Sequence, residues 1–428
     1  MRALRHPNYR LFITGQFVSL TGSWVQNTAL SWLVYNLLTQ SSFKLGVFNF
    51  ASQIPVLLLG LLAGALADST NRLRLLVITQ FLFMVEAFAL AGLTLFHLDS
   101  GLPLVTFWSA VSLATFAGVL QAFDLPARQA FLLELVPRED LANAVALNSL
   151  SFNTARIIGP SLAGLLIAQL AELRPGMKAY GEGMCFLINA ISYLPVLYSL
   201  FRLKLPPYVR RPRPTQQLHY VMDGLRFVRR HSHVAALMGH LTIMALFGIP
   251  YLMIIPVYAR EVLHGQAGEF GSLMTAVGIG AVFGGIVMTR RSTVKGLGTL
   301  MSRSVFGFTL MLSLLAINSL HWPAMLLLAL AGFFMVMAMI GSQTLIQTVL
   351  PVDIRGRVMS IYTMINVGFL PFGSLISGAV AEQFGVRAAL LANSAVCVLA
   401  TVYYTARLPE LRAAAMTTQE YRAAIGVE

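Results

Sequence analysis

The chain is poor in charge and in cysteine, and both shortages narrow its class. Charged residues make up 11% of its 428 residues, whereas soluble domains carry roughly 25%. More than half of the chain is apolar, in long runs that charged residues separate. This pattern is typical of a helical membrane protein with many spans and excludes an ordinary soluble domain. The two cysteines, Cys185 and Cys397, fall inside apolar runs, which argues against a disulfide framework or a metal cluster.

The sequence also lacks the motifs of a catalytic chain. It has no nucleotide-binding loop, since Gly278-Ile-Gly280 lies in an apolar run with no phosphate-binding lysine after it. It has no metal-ligand cluster and no nucleophile–base arrangement. A membrane-embedded acyl- or glycosyltransferase would need a polar catalytic cluster at one membrane face, and none is found. We therefore expect no enzyme activity, no cofactor and no bound metal, and an ion gradient as the driving force.

The net charge of +13 has two interpretations, of which one is favoured. A basic chain can bind nucleic acid, but no soluble domain with interleaved basic and aromatic residues is present. The basic residues instead concentrate on alternate loops and on both termini, as the positive-inside rule describes. We therefore expect no nucleic-acid partner, a multi-pass protein of the plasma membrane (the inner membrane of a bacterium), and two cytoplasmic termini.

Hydropathy and loop charge predict an all-α integral membrane fold with twelve transmembrane helices. They lie near residues 11–38, 46–67, 73–97, 104–134, 141–169, 183–203, 233–260, 268–290, 297–318, 323–348, 354–384 and 386–407. The longest polar segment contains several arginines and prolines and reads as a linker. The predicted domains are a six-helix bundle at 1–203, a cytoplasmic linker at 204–232, and a second six-helix bundle with a short cytoplasmic tail at 233–428. The linker's basic face would either rest on anionic lipid headgroups or be solvated.

The two predicted halves carry matching residues. When Pro137 is placed on Pro351, Gly159 falls on Gly373 and Gly164 on Gly378. Further pairs at the same offset are Gln129 with Gln343 and Gln169 with Gln383. An internal duplication of this kind is how many secondary transporters are built, and it predicts two pseudo-symmetric bundles.

Polar residues in the first and third helices are candidates for a central cavity. Gln16, Ser23 and Asn27 recur at helical spacing, which places them on one stripe that faces protein or water. The alternative is a set of helix–helix hydrogen bonds. Glu86 lies near the centre of the third helix, where an isolated carboxylate is expensive. It is either a proton-carrying site or a paired structural acid.

Three charged residues predict a network in the fourth and fifth helices. Asp124 and Arg128 are four residues apart, so they share a helix face and can pair across Pro126. Arg156 lies near the middle of the next helix, at the expected depth of the membrane centre. Protonation of Asp124 would release an arginine that a substrate could contact. The alternative is a purely structural ion pair.

The second half offers weaker candidates. His240 can titrate, although a lone histidine is more often a helix–helix hydrogen-bond donor. Gln343 and Asn366 lie in helices ten and eleven and are further cavity candidates. Methionines and phenylalanines crowd helices seven and ten, which indicates either packing or an adaptable apolar cavity wall. The glycine-rich eighth helix indicates close packing.

The loop after the second helix carries a specific resemblance. It runs Gly64-Ala-Leu-Ala-Asp68-Ser-Thr-Asn71-Arg72-Leu-Arg74. Asn71 is expected to be left-handed in a tight turn, and Asp68 to cap helix three. The loop resembles the signature loop of the major facilitator superfamily, with Gly64, Leu66, Asp68 and Arg72 at matching positions and Ser69 and Asn71 departing from it. The resemblance implies a cytoplasmic latch of Gly64, Asp68, Arg72 and Arg74, for which Arg355 and Arg357 are candidate partners in the other half.

The fifth helix resembles the antiporter signature of the same superfamily. Gly159, Pro160 and Gly164 match it, and Ala155 and Ala163 replace two glycines. The segments beginning Asp124-Leu-Pro-Ala-Arg, Leu135-Val-Pro and Ala146-Leu-Asn-Ser are similar to the branch of enterobactin exporters and macrolide efflux proteins. The resemblance implies an exporter, and we expect a proton-coupled monomer that moves amphipathic siderophore-, macrolide- or drug-like molecules by alternating access. A lipid or lysolipid flippase and an importer on the same fold are the alternatives.

Overall fold

The computed structural model describes residues 2–97, 102–174, 176–203, 217–291, 295–350 and 352–409. Of the residues that the structure describes, 89% are helical and none belongs to a β-strand. The predicted all-α class is therefore confirmed. The predicted linker residues 204–216 and the tail beyond residue 409 lie outside the described ranges.

Fifteen α-helices occupy these ranges. They are α1 (Pro7–Leu33), α2 (Ser42–Ser69), α3 (Arg72–Leu95), α4 (Phe107–Leu135), α5 (Leu141–Leu173), α6 (Tyr180–Arg202), α7 (Gln217–Arg230), α8 (Ser232–Ile243), α9 (Tyr251–Glu261), α10 (Ala267–Thr289), α11 (Leu297–Ile317), α12 (His321–Val349), α13 (Val352–Gly368), α14 (Leu370–Phe384) and α15 (Val386–Ala406). A short π-helix, Val34–Thr39, continues α1, and a second one, Met244–Gly248, lies between α8 and α9. Short 3₁₀ helices cover Ala3–Arg5 and Arg138–Asp140.

Each of the twelve predicted segments is helical in the structure. The segment predicted at 233–260 is α8 and α9 with a π-helix between them, and the segment at 354–384 is interrupted between α13 and α14. By length and composition, eleven helical segments of the described chain can cross a membrane. The long helix α1 does not meet the same apolar criterion, because polar side chains such as Gln16, Ser19 and Gln26 occupy its buried positions.

The chain divides into two compact units. The first contains residues 1–214 and 259–275, and the second contains residues 215–258 and 276–428. The predicted domain boundaries remain a prediction. The polar segment between the predicted bundles also contains α7, which the hydropathy pattern did not predict because this helix is too polar to cross a membrane.

In the first unit, α1 and α6 lie at the centre of the packing, against α3, α4 and α5. Phe12 of α1 meets Phe131 of α4 edge to face, with ring centroids 5.6 Å apart. The buried hydroxyl of Tyr9 donates to the carbonyl oxygen of Ala144 at 2.8 Å, which joins α1 to α5. This core fixes the relative positions of the five helices that line the cavity described below.

In the second unit, α11 packs against α12 and α15, and α10 approaches α12 closely. A Cβ atom on Gly280 would lie 1.7 Å from the carbonyl oxygen of Ala329, and one on Gly332 would lie 2.3 Å from that of Val277. The two backbones can approach this closely only because both positions lack a side chain. The close packing predicted for the glycine-rich helix is confirmed.

Candidate functional site

A cavity of about 590 Å³ lies inside the first unit, among α1, α3, α4, α5 and α6. Its lining is unusually rich in amide and hydroxyl groups for the interior of a helical membrane bundle. The polar lining residues are Gln16, Ser19, Ser23, Gln26, Asn27, Gln80, Glu86, Gln121, Asp124, Arg128, Gln129, Asn148, Ser149, Asn153, Asn189 and Tyr193. A polar, concave site inside an otherwise apolar bundle is the feature most suited to binding a small molecule.

Asp124 is the most heavily hydrogen-bonded acid of the cavity. Its side chain is buried, and Oδ1 accepts hydrogen bonds from Thr79 Oγ1 at 2.8 Å and from Gln80 Nε2 at 2.8 Å. Oδ2 accepts a hydrogen bond from Arg128 Nη2, one turn further along α4. The ion pair predicted from the four-residue spacing is present. Three donors, one of them cationic, therefore occupy both oxygens of this carboxylate.

Glu86 lies on α3, which also lines the cavity, and its environment differs from that of Asp124. The residue is 2% exposed. Gln26 Nε2 lies 3.0 Å from its Oε2 and 3.3 Å from its Oε1, and no cation pairs with it among the described residues. Glu86 is therefore a buried carboxyl whose contacts to the protein are with a neutral donor.

The amide of Gln26 has one orientation, because a neighbouring amide fixes it. Asn189 Nδ2 of α6 donates to Gln26 Oε1 at 2.8 Å, and Ser192 Oγ lies 2.7 Å from the backbone carbonyl oxygen of Asn189 and 3.1 Å from its Oδ1. Each donor in this series points towards Glu86. The ordered series links α6 through α1 to α3, so a change in the protonation of Glu86 would be felt by three helices.

The polar stripe predicted on helix one faces the cavity. Gln16, Ser23 and Asn27 all line it. Ser23 Oγ lies 3.2 Å from the hydroxyl oxygen of Tyr193, whose ring stacks on Phe83 with centroids 6.0 Å apart. The stripe therefore lines the cavity and also makes one helix–helix hydrogen bond. Both interpretations of the sequence, a cavity wall and a helix–helix contact, describe part of it.

The structure does not bring Arg156 into the Asp124 network. Its guanidinium carbon lies 5.9 Å from the ring centroid of Trp24, and among the described residues it has no ion pair. Side-chain direction on α5 decides this, because Arg156 points to α1, where an indole face attracts a cation. Arg156 therefore adjoins the cavity through Trp24 and leaves Arg128 as the partner of Asp124.

Gly159, Pro160 and Gly164 lie where α5 meets two neighbours. A Cβ atom on Gly159 would lie 2.3 Å from Trp24 Cβ, and one on Gly164 would lie 2.9 Å from the carbonyl oxygen of Ala267. Ser161 Oγ and Thr275 Oγ1 are 2.6 Å apart. The antiporter-type motif therefore serves close backbone packing of α5 against α1 and against the first turns of α10, all within the first unit.

The loop between α2 and α3 differs in two ways from its predicted geometry. Asn71 has φ −69° and ψ 109°, which is extended and not left-handed, and its Oδ1 caps α3 by accepting from the backbone N–H of Arg74 at 3.1 Å. Asp68 lies in the last turn of α2, so it cannot be the cap of α3. Because α2 extends to Ser69, Asp68 belongs to α2, and Asn71 is the N-cap of α3.

Replacement of the cap tests this correction. Asn71→Ala should remove the hydrogen bond to Arg74 N and destabilise the start of α3 by about 1 kcal/mol. Asn71→Ser should retain most of the stability, since a hydroxyl also accepts at this position. Thermal unfolding of the purified protein in detergent measures the difference, and equal midpoints for the two variants would contradict the capping role.

Two of the predicted latch arginines have described hydrogen bonds, Arg72 in the first unit and Arg355 in the second. Arg72 Nη1 donates to Glu134 Oε1 at 2.7 Å, and a Cβ atom on Gly64 would meet nothing within 4 Å. Arg355 Nη2 donates to the carbonyl oxygen of Leu350 at 3.1 Å. Arg74 is exposed. The side chain of Asp68 lies outside the described part of the chain, and the latch that joins it to Arg355 or Arg357 stays a prediction.

The second-half candidates are only partly brought together. His240 is buried, with its ring 5.0 Å from that of Tyr404, and it lines a small pocket with Asn366 and several methionines. Asn366 Nδ2 donates to the carbonyl oxygen of Tyr362 at 2.9 Å. Gln343 is exposed and is not among the residues that line this pocket. The pocket is about 20 Å³, close to the room that one water needs.

Sequence reasoning did not identify Thr79, Gln26, Gln80, Asn189 or Tyr193. All five lie within apolar helices, and a polar side chain at such a position is the signal that could have identified them. Their partners could not be predicted, because the hydrogen bonds join residues 44 to 170 positions apart.

Comparisons with known proteins agree with this architecture. The chain is 28% identical over 407 residues to the Staphyloferrin A transporter of Staphylococcus aureus, covering 94% of this chain and 97% of that protein. It is 24% identical over 409 residues to the enterobactin exporter EntS of Shigella boydii, covering 95% and 93%.

Solved structures with the same fold are also transporters. The crystal structure of the nucleoside transporter NupG aligns with a TM-score of 0.71 at 13% identity, covering 94% of this chain and 99% of that chain. A bacterial homologue of the human lysosomal transporter Spinster, in an inward-facing and occupied conformation, gives 0.71 at 13% identity, with coverage of 94% and 97%. At this identity the likeness concerns the fold alone.

The family comparison covers nearly the whole chain. The model of the family described as "Transmembrane secretion effector" matches residues 1–425. The predicted major facilitator resemblance is confirmed, and the family and its relatives are transporters and not enzymes. The chain therefore belongs to the transmembrane secretion effector family of major facilitator transporters and is a multi-pass membrane protein that moves small molecules.

Proposed function

We propose that the protein exports amphipathic, oxygen-rich small molecules of the siderophore type, driven by protons that enter in exchange. The observation that carries the proposal is the polar cavity of the first unit, with one ion-paired acid and one acid whose partner among the described residues is a neutral amide. Binding inside the bundle and release on the other side by alternating access is the expected cycle.

The cavity lining supports this class of substrate. Amide and hydroxyl groups can both donate and accept hydrogen bonds, which suits hydroxyl-, carboxylate- or amide-bearing ligands. Trp24, Phe83 and Phe152 add aromatic surface to the same wall. One of the relatives is by name a Staphyloferrin A transporter and another an enterobactin exporter. A lipid or lysolipid would require a long apolar slot, which this lining does not favour.

The two buried acids support proton coupling with separate roles. The carboxylate of Asp124 is occupied by the guanidinium of Arg128 and by two neutral donors, Thr79 and Gln80. Glu86 receives hydrogen bonds from Gln26 alone among the described residues, and a charge buried there is costly. We assign proton uptake and release to Glu86, and the orientation of polar substrate groups to the Asp124–Arg128 pair.

The proposed cycle has a defined orientation. The distribution of basic residues favours two cytoplasmic termini in a plasma membrane, which is the inner membrane in a two-membrane bacterium. Each chain contains a complete cavity, which supports a monomer as the working unit. In this orientation a proton from the outside neutralises Glu86 and shifts the equilibrium between the two open states.

Transport by the reconstituted protein tests the proposal. Inverted vesicles containing the full chain should accumulate a citrate- or catechol-based siderophore when their lumen is acidic, and a protonophore should abolish the accumulation. Vesicles without the protein are the control. Accumulation only in right-side-out vesicles would establish import and contradict the proposed direction, and accumulation that ignores the protonophore would contradict proton coupling.

A further inference from the structure

One face of α7 combines arginines with exposed apolar side chains. Met222 is 46% exposed and Leu225 is 41% exposed. Arg226, Arg229 and Arg230 are exposed as well. Positions 222, 225, 226 and 229 fall on one side of a helix, because they follow the three- and four-residue spacing of helical turns. The sequence of α7 has three arginines and one acid, Asp223, so the helix is basic.

The opposite face of α7 is fixed to the second unit. Val228 is buried, and a Cβ atom on Gly224 would lie 2.9 Å from the carbonyl oxygen of Arg357 on α13. The backbone N–H of His231 donates to the carbonyl oxygen of Phe227 at 3.1 Å, and the rings of Phe227 and His231 stack with centroids 3.9 Å apart. Since α8 begins at Ser232, α7 is joined rigidly to a membrane-crossing helix.

The neighbours of α7 place it at a membrane boundary. Helix α8 begins at Ser232 and α13 begins at Val352, and each belongs to an apolar helical segment that is long enough to cross a membrane. Helix α7 contacts both helices near these starts. Helix α7 is itself too polar to enter the hydrocarbon, so it lies where the two spans leave the bilayer.

We infer that the exposed face of α7 binds the surface of an anionic phospholipid bilayer. Arg226, Arg229 and Arg230 meet lipid phosphates, for which guanidinium is a good hydrogen-bonding partner. Met222 and Leu225 enter the boundary between headgroups and acyl chains, as in other interfacial amphipathic helices. The contact of Gly224 with Arg357 then transmits the position of α7 to α13. This inference concerns lipid recognition and stands apart from the proposed substrate and coupling ion.

Depth-dependent quenching tests the inference on the full chain. A fluorophore attached through Met222→Cys, reconstituted in phosphatidylcholine with phosphatidylglycerol, should be quenched by spin labels near the headgroups. In phosphatidylcholine alone the quenching should fall. Arg226→Gln, Arg229→Gln and Arg230→Gln together should lower the association constant for phosphatidylglycerol that is fitted to the quenching titration, by roughly fivefold per arginine.

The linker supplies a control with equal charge. Arg210→Gln, Arg211→Gln and Arg213→Gln together remove three charges from the same polar segment but leave α7 intact. This control should keep most of the quenching. Equal loss in the two triple variants, or quenching that does not depend on phosphatidylglycerol, would overturn the inference. Arg229→Gln alone keeps the test informative if the triple variant folds poorly, since this exposed side chain should lower lipid binding without lowering the unfolding temperature.

Discussion

Glu86→Gln should produce a transporter that still binds and exchanges substrate but no longer responds to a proton gradient. Glutamine has nearly the shape of glutamic acid and can accept from Gln26 Nε2, so the packing of α1 and α3 is retained. It cannot release a proton. A difference of one pH unit across the membrane supplies about 1.4 kcal/mol per proton. With such a gradient the parent chain can concentrate substrate about tenfold for each proton that it exchanges. The variant should accumulate none.

A second buried acid provides the control for this experiment. Glu182 is also buried, in the first turn of α6, but it is not among the residues that line the cavity. Glu182→Gln should keep the gradient-driven accumulation. The measurements are counterflow without a gradient and accumulation with one. If Glu86→Gln still accumulates substrate with a proton gradient, the assignment of proton transfer to Glu86 is wrong, even if siderophore transport itself is established.

Arg128→Met should be severely destabilising, and a second substitution should rescue its stability but not its transport. Removal of the guanidinium leaves Asp124 buried, 3% exposed, with neutral donors only. Breaking a buried ion pair by removing one partner costs about 3–5 kcal/mol. Asp124→Asn combined with Arg128→Met removes both charges, so most of the stability should return. Transport should remain lost, because the pair is proposed to orient polar groups of the substrate.

The control is an ion pair of similar chemistry in a more exposed position. Arg72 pairs with Glu134, whose side chain is 39% exposed. Arg72→Met should cost about 1 kcal/mol or less, since exposed pairs contribute little. Thermal unfolding in detergent, followed by size-exclusion chromatography, gives the ranking. If Arg128→Met and Arg72→Met unfold at the same temperature, the Asp124 pair is not a buried, stabilising contact.

The parts of the site that lie on one helix could be predicted, and the parts that join helices could not. Asp124 and Arg128 are four residues apart on α4, so helical geometry alone brings them together. The Glu86 series joins α3, α1 and α6 through residues 60 and 163 positions apart. No periodicity relates such positions, and only the packing of the three helices selects Gln26 and Asn189.

Arg156 and Asn71 show how local reasoning can misplace a side chain. The charge of Arg156 suggested an acidic partner, but the direction of its side chain on α5 places it against Trp24. The short loop suggested a left-handed turn at Asn71, but the extension of α2 to Ser69 leaves Asn71 as the N-terminal cap of α3. In both cases a neighbouring helix decided the result.

The amino-acid sequence by itself determined the membrane class, the positions of the membrane-crossing helices and the spacing of the charged pair on α4. These follow from hydrophobicity and from helical periodicity, which act over a few turns of one chain segment. Only the tertiary structure decided that Glu86 has a neutral partner and Asp124 a cationic one, and that α7 packs Gly224 on α13 with its arginines exposed. Burial and the choice of hydrogen-bond partners depend on which helices meet, and distant parts of the chain determine that together.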